Sequence, residues 1–176
     1  MKEFVKTDPF KEDMNVFKLI NKQWMLVTAG NKERFNTMTA SWGGMGVLWE
    51  RPVAFVFIRP QRYTFEFTEK ESVMTLSFFD EKFRGALNIC GSKSGRDTDK
   101  IKECGLTPVE MPSGSMAFGE ARVILECRKL YTDRLNPDGF VDAGICPKMY
   151  PGGDFHQMYV VEIESFLKRS GEAQPL

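Results

Sequence analysis

Short apolar runs broken by glycine and proline set the texture of the chain. Residues 24–29, Trp-Met-Leu-Val-Thr-Ala, are one such run, and Gly30-Asn31 closes it, which predicts a strand ended by a turn. Residues 35–48 are rich in Thr, Met and Trp but are interrupted by Gly43, Gly44 and Gly46. Glycines inside a strand mark a bulge or a close backbone approach. Residues 53–58 form the clearest buried strand, opened by Arg51-Pro52 and stopped by Pro60. The pattern next predicts a short helix over 63–70 with Thr64 near its start, a strand over 72–79, and a helix over 81–89. Asp80 is placed to cap that helix by accepting a free backbone N–H. A flexible loop follows at 91–95, then a helix capped by Asp97 or Thr98 and stopped at Cys104-Gly105. From Ala117 the texture returns to strands, best at 121–130 and 158–166, with a Pro/Gly-rich loop over 136–154 between them. The first dozen residues read as a loose lead-in, 15–22 as a helical turn with Phe17 and Ile20 on one side, and the last seven as a frayed tail.

About six strands and two or three short helices without regular alternation exclude a doubly wound parallel sheet. A mainly β fold, an antiparallel barrel with flanking helices, fits instead, because barrel closure removes exposed edges. The 176 residues predict a single domain.

Charge narrows the function. Lys plus Arg and Asp plus Glu number 24 each, so the net charge is zero and nothing attracts nucleic acid or anionic lipid in general. Any anion must be caught by a local cluster. No apolar run approaches the ~18–20 residues that cross a bilayer, and the N-terminal segment has no apolar leader, so a cytoplasmic protein is expected. Cysteines at 90, 104, 127 and 146 form no Cys-x-x-Cys pair, and no metal site is expected. They are read as free and mostly buried thiols.

Four stretches can carry chemistry. In Asn36-Thr-Met-Thr-Ala-Ser-Trp42, strand alternation puts Thr37, Thr39 and Ser41 on one face and Met38, Ala40 and Trp42 on the other, a row of hydroxyls for a polar ligand edge. In Arg59-Pro-Gln-Arg-Tyr-Thr64, two arginines three residues apart stand between a buried strand and a helix start. Guanidinium groups beside the free N–H groups of a first helical turn make a phosphate site. The stretch Ser92-Lys-Ser-Gly-Arg-Asp-Thr-Asp-Lys100 has cations, hydroxyls and a glycine ahead of a helix, without the spacing of a Walker loop. His156, the one histidine, stands at a loop-to-strand junction two residues from Asp154, suited to substrate binding or proton supply. Among the aromatics, Trp42, Trp49 and Phe79 are close enough to these motifs to be weighed as ring-packing groups.

The stretches Asn36-Thr-Met-Thr-Ala-Ser-Trp-Gly-Gly44, Arg59-Pro-Gln-Arg-Tyr-Thr64, Leu87-Asn-Ile-Cys-Gly-Ser-Lys-Ser-Gly-Arg-Asp-Thr-Asp-Lys100 and His156-Gln-Met-Tyr-Val-Val-Glu-Ile-Glu164 resemble, in order, the flavin reductase-like FMN-binding split-barrel family. The nearest branch looks like flavoredoxin, and the likeness runs over about 15–169. The resemblance implies a split β-barrel and a homodimer with FMN near the interface. It implies that Arg59 and Arg62 are charge partners of the FMN phosphate, with Gln61 beside them and Tyr63 and Thr64 as backbone or hydroxyl donors. Asn36 to Trp42 would lie along the ribityl chain and ring edge, Ser92, Gly95, Arg96 and Lys100 would approach the flavin, and His156 would stand near its open side. The implied activity takes a hydride from NAD(P)H, a transient substrate, onto FMN and passes electrons to free flavin, ferric iron or a redox protein. The alternative is a non-enzymatic FMN-binding electron carrier or flavin store. Neither requires an acid–base dyad or a dinucleotide fingerprint, because the flavin carries its own chemistry.

Overall fold

A computed structural model describes residues 4–171. The strands are β1 (Phe4–Thr7), β2 (Met25–Gly30), β3 (Phe35–Ala40), β4 (Gly43–Leu48), β5 (Arg51–Ile58), β6 (Val73–Phe78), β7 (Pro108–Glu110), β8 (Met116–Phe118), β9 (Val123–Arg134) and β10 (Gln157–Arg169). The helices are α1 (Tyr63–Lys70), α2 (Arg84–Ser92), α3 (Lys100–Cys104) and α4 (Ile145–Met149).

One antiparallel sheet runs β3-β2-β6-β9-β10-β5-β4, with β1 added beside β10, and β7 and β8 form a separate hairpin. The fold is a split β-barrel with flanking helices. Alternation along the strands sorts the core. Met25, Val27 and Ala29 join Met38, Ala40, Val56, Leu76, Leu125 and Tyr159 in the barrel interior. Leu26 and Ile124 belong instead to a second cluster with Leu87, Cys90, Leu106 and Phe118, where α2 and the hairpin cover the outside. Period two therefore decides which side chains enter the barrel, and burial of these apolar surfaces drives the fold.

The sheet is larger than the apolar runs predict. β7 and β8 are three residues each, too short to show a period, and β4 carries three glycines that erase it. The first dozen residues are not a loose lead-in over the described part: β1 pairs Phe4 with Arg169 and Thr7 with Phe166. Residues 18–23 form a wide helical turn, and Trp24 leaves it at φ 66 rather than starting the strand. Asp80 makes no side-chain cap; its carboxylate lies 3.4 Å from Arg169, and α2 starts later, after a short 3₁₀ turn. Asp99, rather than Asp97 or Thr98, caps α3 by accepting from the Lys102 N–H at 3.1 Å. Gly105, in the left-handed region at φ 65, ends that helix as expected. The 136–154 segment is partly structured, with a 3₁₀ turn capped by Asn136 and then α4. Of the expected frayed tail, residues 172–176 lie outside the described residues. No described helix is long and apolar enough to cross a membrane.

Candidate functional site

β3 ends at Ala40 and hands the chain to Ser41 and Trp42, while β5 ends at Ile58 and hands it to Arg59 and Arg62. β3 and β5 are not hydrogen-bonded neighbours, yet residues 38–42 and Arg59 and Arg62 line one cavity, so the two strand ends come together there. A cavity of about 260 Å³ opens there, lined by Met38 to Trp42, Phe57, Arg59, Arg62 and His156. A second cavity of about 200 Å³ lies between the start of α1 and the end of α2, lined by Gln61 to Thr64, Ser92, Lys93, Ser94 and Lys100. Arg62 lines both. A broader groove of about 850 Å³ adjoins the first through Ser41 and Trp42.

The second cavity gathers positive charge. Lys100 is only 2% exposed, and its Nζ donates to the Lys93 and Cys90 carbonyls at 3.3 and 3.4 Å. Arg62 donates to the Gly91 and Cys90 carbonyls at 2.8 and 3.4 Å. Among the described residues, neither cation forms an ion pair with a carboxylate. Burial lowers the proton affinity of both, and their mutual repulsion lowers that of Lys100 further. A buried Lys100 and a half-buried Arg62 side by side, without a carboxylate between them, are costly to keep. No side chain caps α1, so the positive end of its dipole opens on the same cavity.

Arg59 is differently placed. Its guanidinium pairs with Asp154, donates to the Met149 carbonyl at 2.8 Å and lies over the Tyr150 ring at 5.2 Å. Gln61 donates to the same Asp154 carboxylate at 2.6 Å. The expected phosphate pair Arg59 and Arg62 is therefore divided: Arg62 faces the anion cavity uncompensated, and Arg59 fastens the 136–154 segment to the rim of the first cavity.

The hydroxyl row is also divided. Thr37 and Thr39 share a face as strand alternation requires, but both hydroxyls are engaged within the protein. Thr37 bonds Thr28 Oγ1 at 2.8 Å and donates to the Val27 carbonyl at 3.2 Å, and Thr39 donates to the Leu87 carbonyl. Asn36 is buried and donates to Thr64 Oγ1 at 2.7 Å, tying β3 to the start of α1. Gly95 packs on this pair: a Cβ there would lie 2.1 Å from Asn36 Oδ1. Arg96 pairs with Glu66 and lies over the Tyr63 ring at 4.7 Å, bracing α1 from outside, and Ser92 bonds back to the Asn88 carbonyl at 2.8 Å. Thus Asn36, Thr37, Gly95 and Arg96 hold the walls, while Met38 to Trp42, Arg62, Tyr63, Thr64, Ser92 and Lys100 line the space. Of the other weighed aromatics, Trp49 sits at the β4–β5 hairpin tip against Tyr131, and Phe79 packs in the outer cluster against Phe83 and Phe118.

His156 lies against Trp42, ring centroids 5.2 Å apart, and its Nδ1 is 2.9 Å from the Tyr150 hydroxyl. Burial, reinforced by the Arg59 charge, pushes its pKa down from 6.5 to about 4. The ring is neutral at physiological pH, so it serves as a hydrogen-bonding wall and not as a ready proton donor. Nitrogen NMR should show no His156 titration between pH 5 and 8; a midpoint near 6.5 would contradict this placement. The unfolded chain binds this proton below pH 6.5 and the native state only near pH 4, so the contribution to stability is complete above 6.5 and fades as pH falls toward 4. Tyr150 and Phe57 were not singled out by sequence. An aromatic within a Pro/Gly-rich loop was the available signal for Tyr150, and Phe57 was hidden among the apolar residues of β5.

The model of the flavin reductase like domain matches residues 17–176. No curated protein matches the chain. Three solved structures illustrate the shared fold. An FMN-binding domain of a flavin reductases-like enzyme from Shewanella baltica has a TM-score of 0.69 at 18% identity, over 96% of this chain and 78% of that one. An FMN-binding protein from Thermus thermophilus has 0.67 at 22%, over 86% and 75%. Flavoredoxin of Desulfovibrio vulgaris has 0.66 at 20%, over 95% and 78%.

Proposed function

Given that the chain belongs to the flavin reductase like domain family, we propose that it is an FMN-binding oxidoreductase which accepts a hydride from NAD(P)H and passes electrons to free flavin, ferric iron or a redox protein. One observation carries the FMN part: two cations, the buried Lys100 and the half-buried Arg62, face a single cavity without a carboxylate partner among the described residues. A phosphate dianion supplies the missing charge, and the uncapped start of α1 adds backbone donors. The adjoining cavity has walls suited to a planar ring: Trp42, Phe57 and His156 on the sides and the Met38–Ser41 backbone along the edge.

FMN bound there would supply two-electron acceptance and delivery in one- or two-electron steps. The protein binds, orients and shields. Arg62 and Lys100 anchor the phosphate. Asn36, through Thr64, keeps β3 in register with α1, so the two cavities stay aligned. Arg59 brings positive charge to the rim, where it favours an anionic ring edge, while Asp154 limits its net effect. His156 stays neutral and holds its wall through Tyr150. The groove beside Trp42 gives a transient nicotinamide room to approach.

The second reading, an FMN-binding carrier or store, draws on the 136–154 segment, which Arg59 pins at the rim, narrowing access on that side. Anaerobic mixing of the FMN-loaded protein with NADH or NADPH separates the two. The first reading expects the yellow colour of the oxidised flavin to bleach within seconds. Lasting colour with both nucleotides, but reduction by a ferredoxin-like donor, selects the carrier. We also propose a homodimer in the cytoplasm. Strand β4 is an edge of the sheet, and exposed apolar side chains lie along this side, Phe17 and Trp42 beside the groove and Val47 and Trp49 at the far end of β4, surface that a second copy would cover.

A further inference from the structure

Cys90 lies on α2 and Cys104 ends α3, and their sulfurs are 3.5 Å apart. A disulfide bond is about 2.05 Å long, so a small approach of the two sulfurs suffices to form one. Among the described residues this is the one pair of cysteine sulfurs in contact. Cys90 is fully buried in the cluster that contains Leu87, Leu106 and Phe118. Cys104 packs at the edge of that cluster, part-exposed, with its sulfur 3.4 Å from the Ala86 carbonyl of α2.

The pair brackets the wall of the anion cavity. Residues 91–103 between the two cysteines include Ser92, Lys93, Ser94 and Lys100, all of which line it. The Cys90 carbonyl accepts from both Arg62 Nη2 and Lys100 Nζ at 3.4 Å. A bond between the sulfurs would staple both ends of the segment that holds the two cations in place. Neither the family match nor the flavin chemistry requires these thiols.

We propose that Cys90 and Cys104 are a peroxide-oxidisable pair whose disulfide fastens this wall and slows the release of a phosphate-bearing ligand. The slowing rests on the FMN reading above; the crosslink does not. Oxidation begins at the accessible Cys104, whose sulfur takes one oxygen from hydrogen peroxide, giving a sulfenic acid and one water. The Cys90 sulfur then attacks that sulfur. The S–S bond forms, the S–O bond breaks, and the departing hydroxide leaves with the Cys90 proton as a second water. Two thiols lose two electrons and the peroxide gains them. A small dithiol reverses the bond by exchange. Burial pushes the Cys90 thiol up to about 12 and raises Cys104 as well, so the first step is slow and the pair responds to sustained exposure. The raised Cys90 pKa slows the second step as well, and the short separation offsets part of that penalty by holding the two sulfurs together.

The test uses the purified FMN-loaded protein, treated with hydrogen peroxide, alkylated and mapped by peptide mass. The expected result is one linked Cys90–Cys104 peptide, removed by dithiothreitol, together with FMN release slowed about fivefold as the closed loop restrains the wall. Release is followed by flavin fluorescence. Cys104→Ser should release FMN at the reduced parent's rate and show neither the linked peptide nor the slowing. A link from Cys90 to Cys127 or Cys146, or a sulfenic acid that persists on Cys104 without a link, overturns the pair. A linked peptide with an unchanged release rate overturns the fastening. A protein that takes up no flavin overturns the functional reading, and the peptide map still decides the crosslink.

Discussion

Replacing Arg62 and Lys100 together by alanine should yield a colourless protein. Each side chain offers a charged donor to the same buried cavity, and among the described residues neither has a carboxylate partner. Hydrogen bonds to charged groups contribute about 1.5–3 kcal/mol each, so losing both should weaken FMN binding by roughly 10²–10⁴-fold. The apoprotein should respond in the opposite sense. It holds the buried Lys100 charge beside the half-buried Arg62, which repels it, and Lys100→Met removes that buried charge while keeping an apolar stem in place. The melting temperature of apo Lys100→Met should rise by about 2–4 °C, the shift expected for about 1 kcal/mol in a chain of this size. Arg59→Ala is the informative contrast. Its guanidinium is engaged by Asp154, the Met149 carbonyl and the Tyr150 ring. Its loss should loosen the 136–154 segment and lower thermal stability, with a smaller effect on FMN. Fluorescence titration and thermal melts of the variants check these outcomes. A double variant as yellow as the parent would remove the phosphate assignment.

Gly43→Ala should be the most damaging single change near the site. Gly43 has φ +148, and a Cβ there would meet the Phe55 carbonyl oxygen at 2.6 Å. That oxygen cannot easily retreat, because β5 is held on its other side by β10, with Phe55 opposite Val160. Backbone strain and overpacking together should cost about 3–5 kcal/mol, which lowers the melting temperature by about 10 °C. The loss should reach the site, since Gly43 directly follows Ser41 and Trp42 at the cavity wall. Gly46→Ala is the matched control on the same strand. Its Cβ would meet nothing within 4 Å, so its effect should stay within about 0.5 kcal/mol. Equal urea midpoints for the two variants would show that the close approach at Gly43 is not structural.

What the sequence made legible, it made legible through periodicity and punctuation. The helix over 63–70 and the strands around 25–30, 53–58 and 73–78 follow from apolar runs bounded by glycine and proline, and the structure places them there. Elements without a period were not legible: β4 with its glycines, the three-residue β7 and β8, and β1, which depends on pairing with the distant β10. Caps were half legible. A carboxylate near a helix start can cap it or pair elsewhere, and tertiary contacts chose Arg169 for Asp80 and left Asp99 to cap α3. The same limit explains the site. The cluster Arg59 to Thr64 announced an anion site, but sequence cannot show which cation already has a partner. Asp154, far along the chain, compensates Arg59, whereas Arg62 is joined by Lys100 from a stretch whose role was open. The hydroxyls of Thr37 and Thr39 were read on the correct face, but their internal acceptors, Val27 and Leu87, come from other elements.

The central claim is that the cavity faced by Arg62 and Lys100 holds the phosphate of FMN. Calorimetric titration of the apoprotein with FMN and, separately, with riboflavin tests it most directly, because the two ligands share the ring and differ by the phosphate. The account predicts one FMN per chain, with riboflavin binding at least about 100-fold more weakly, the loss expected when two charged hydrogen bonds have no partner. Equal affinity for the two ligands, or no binding of either, would contradict it.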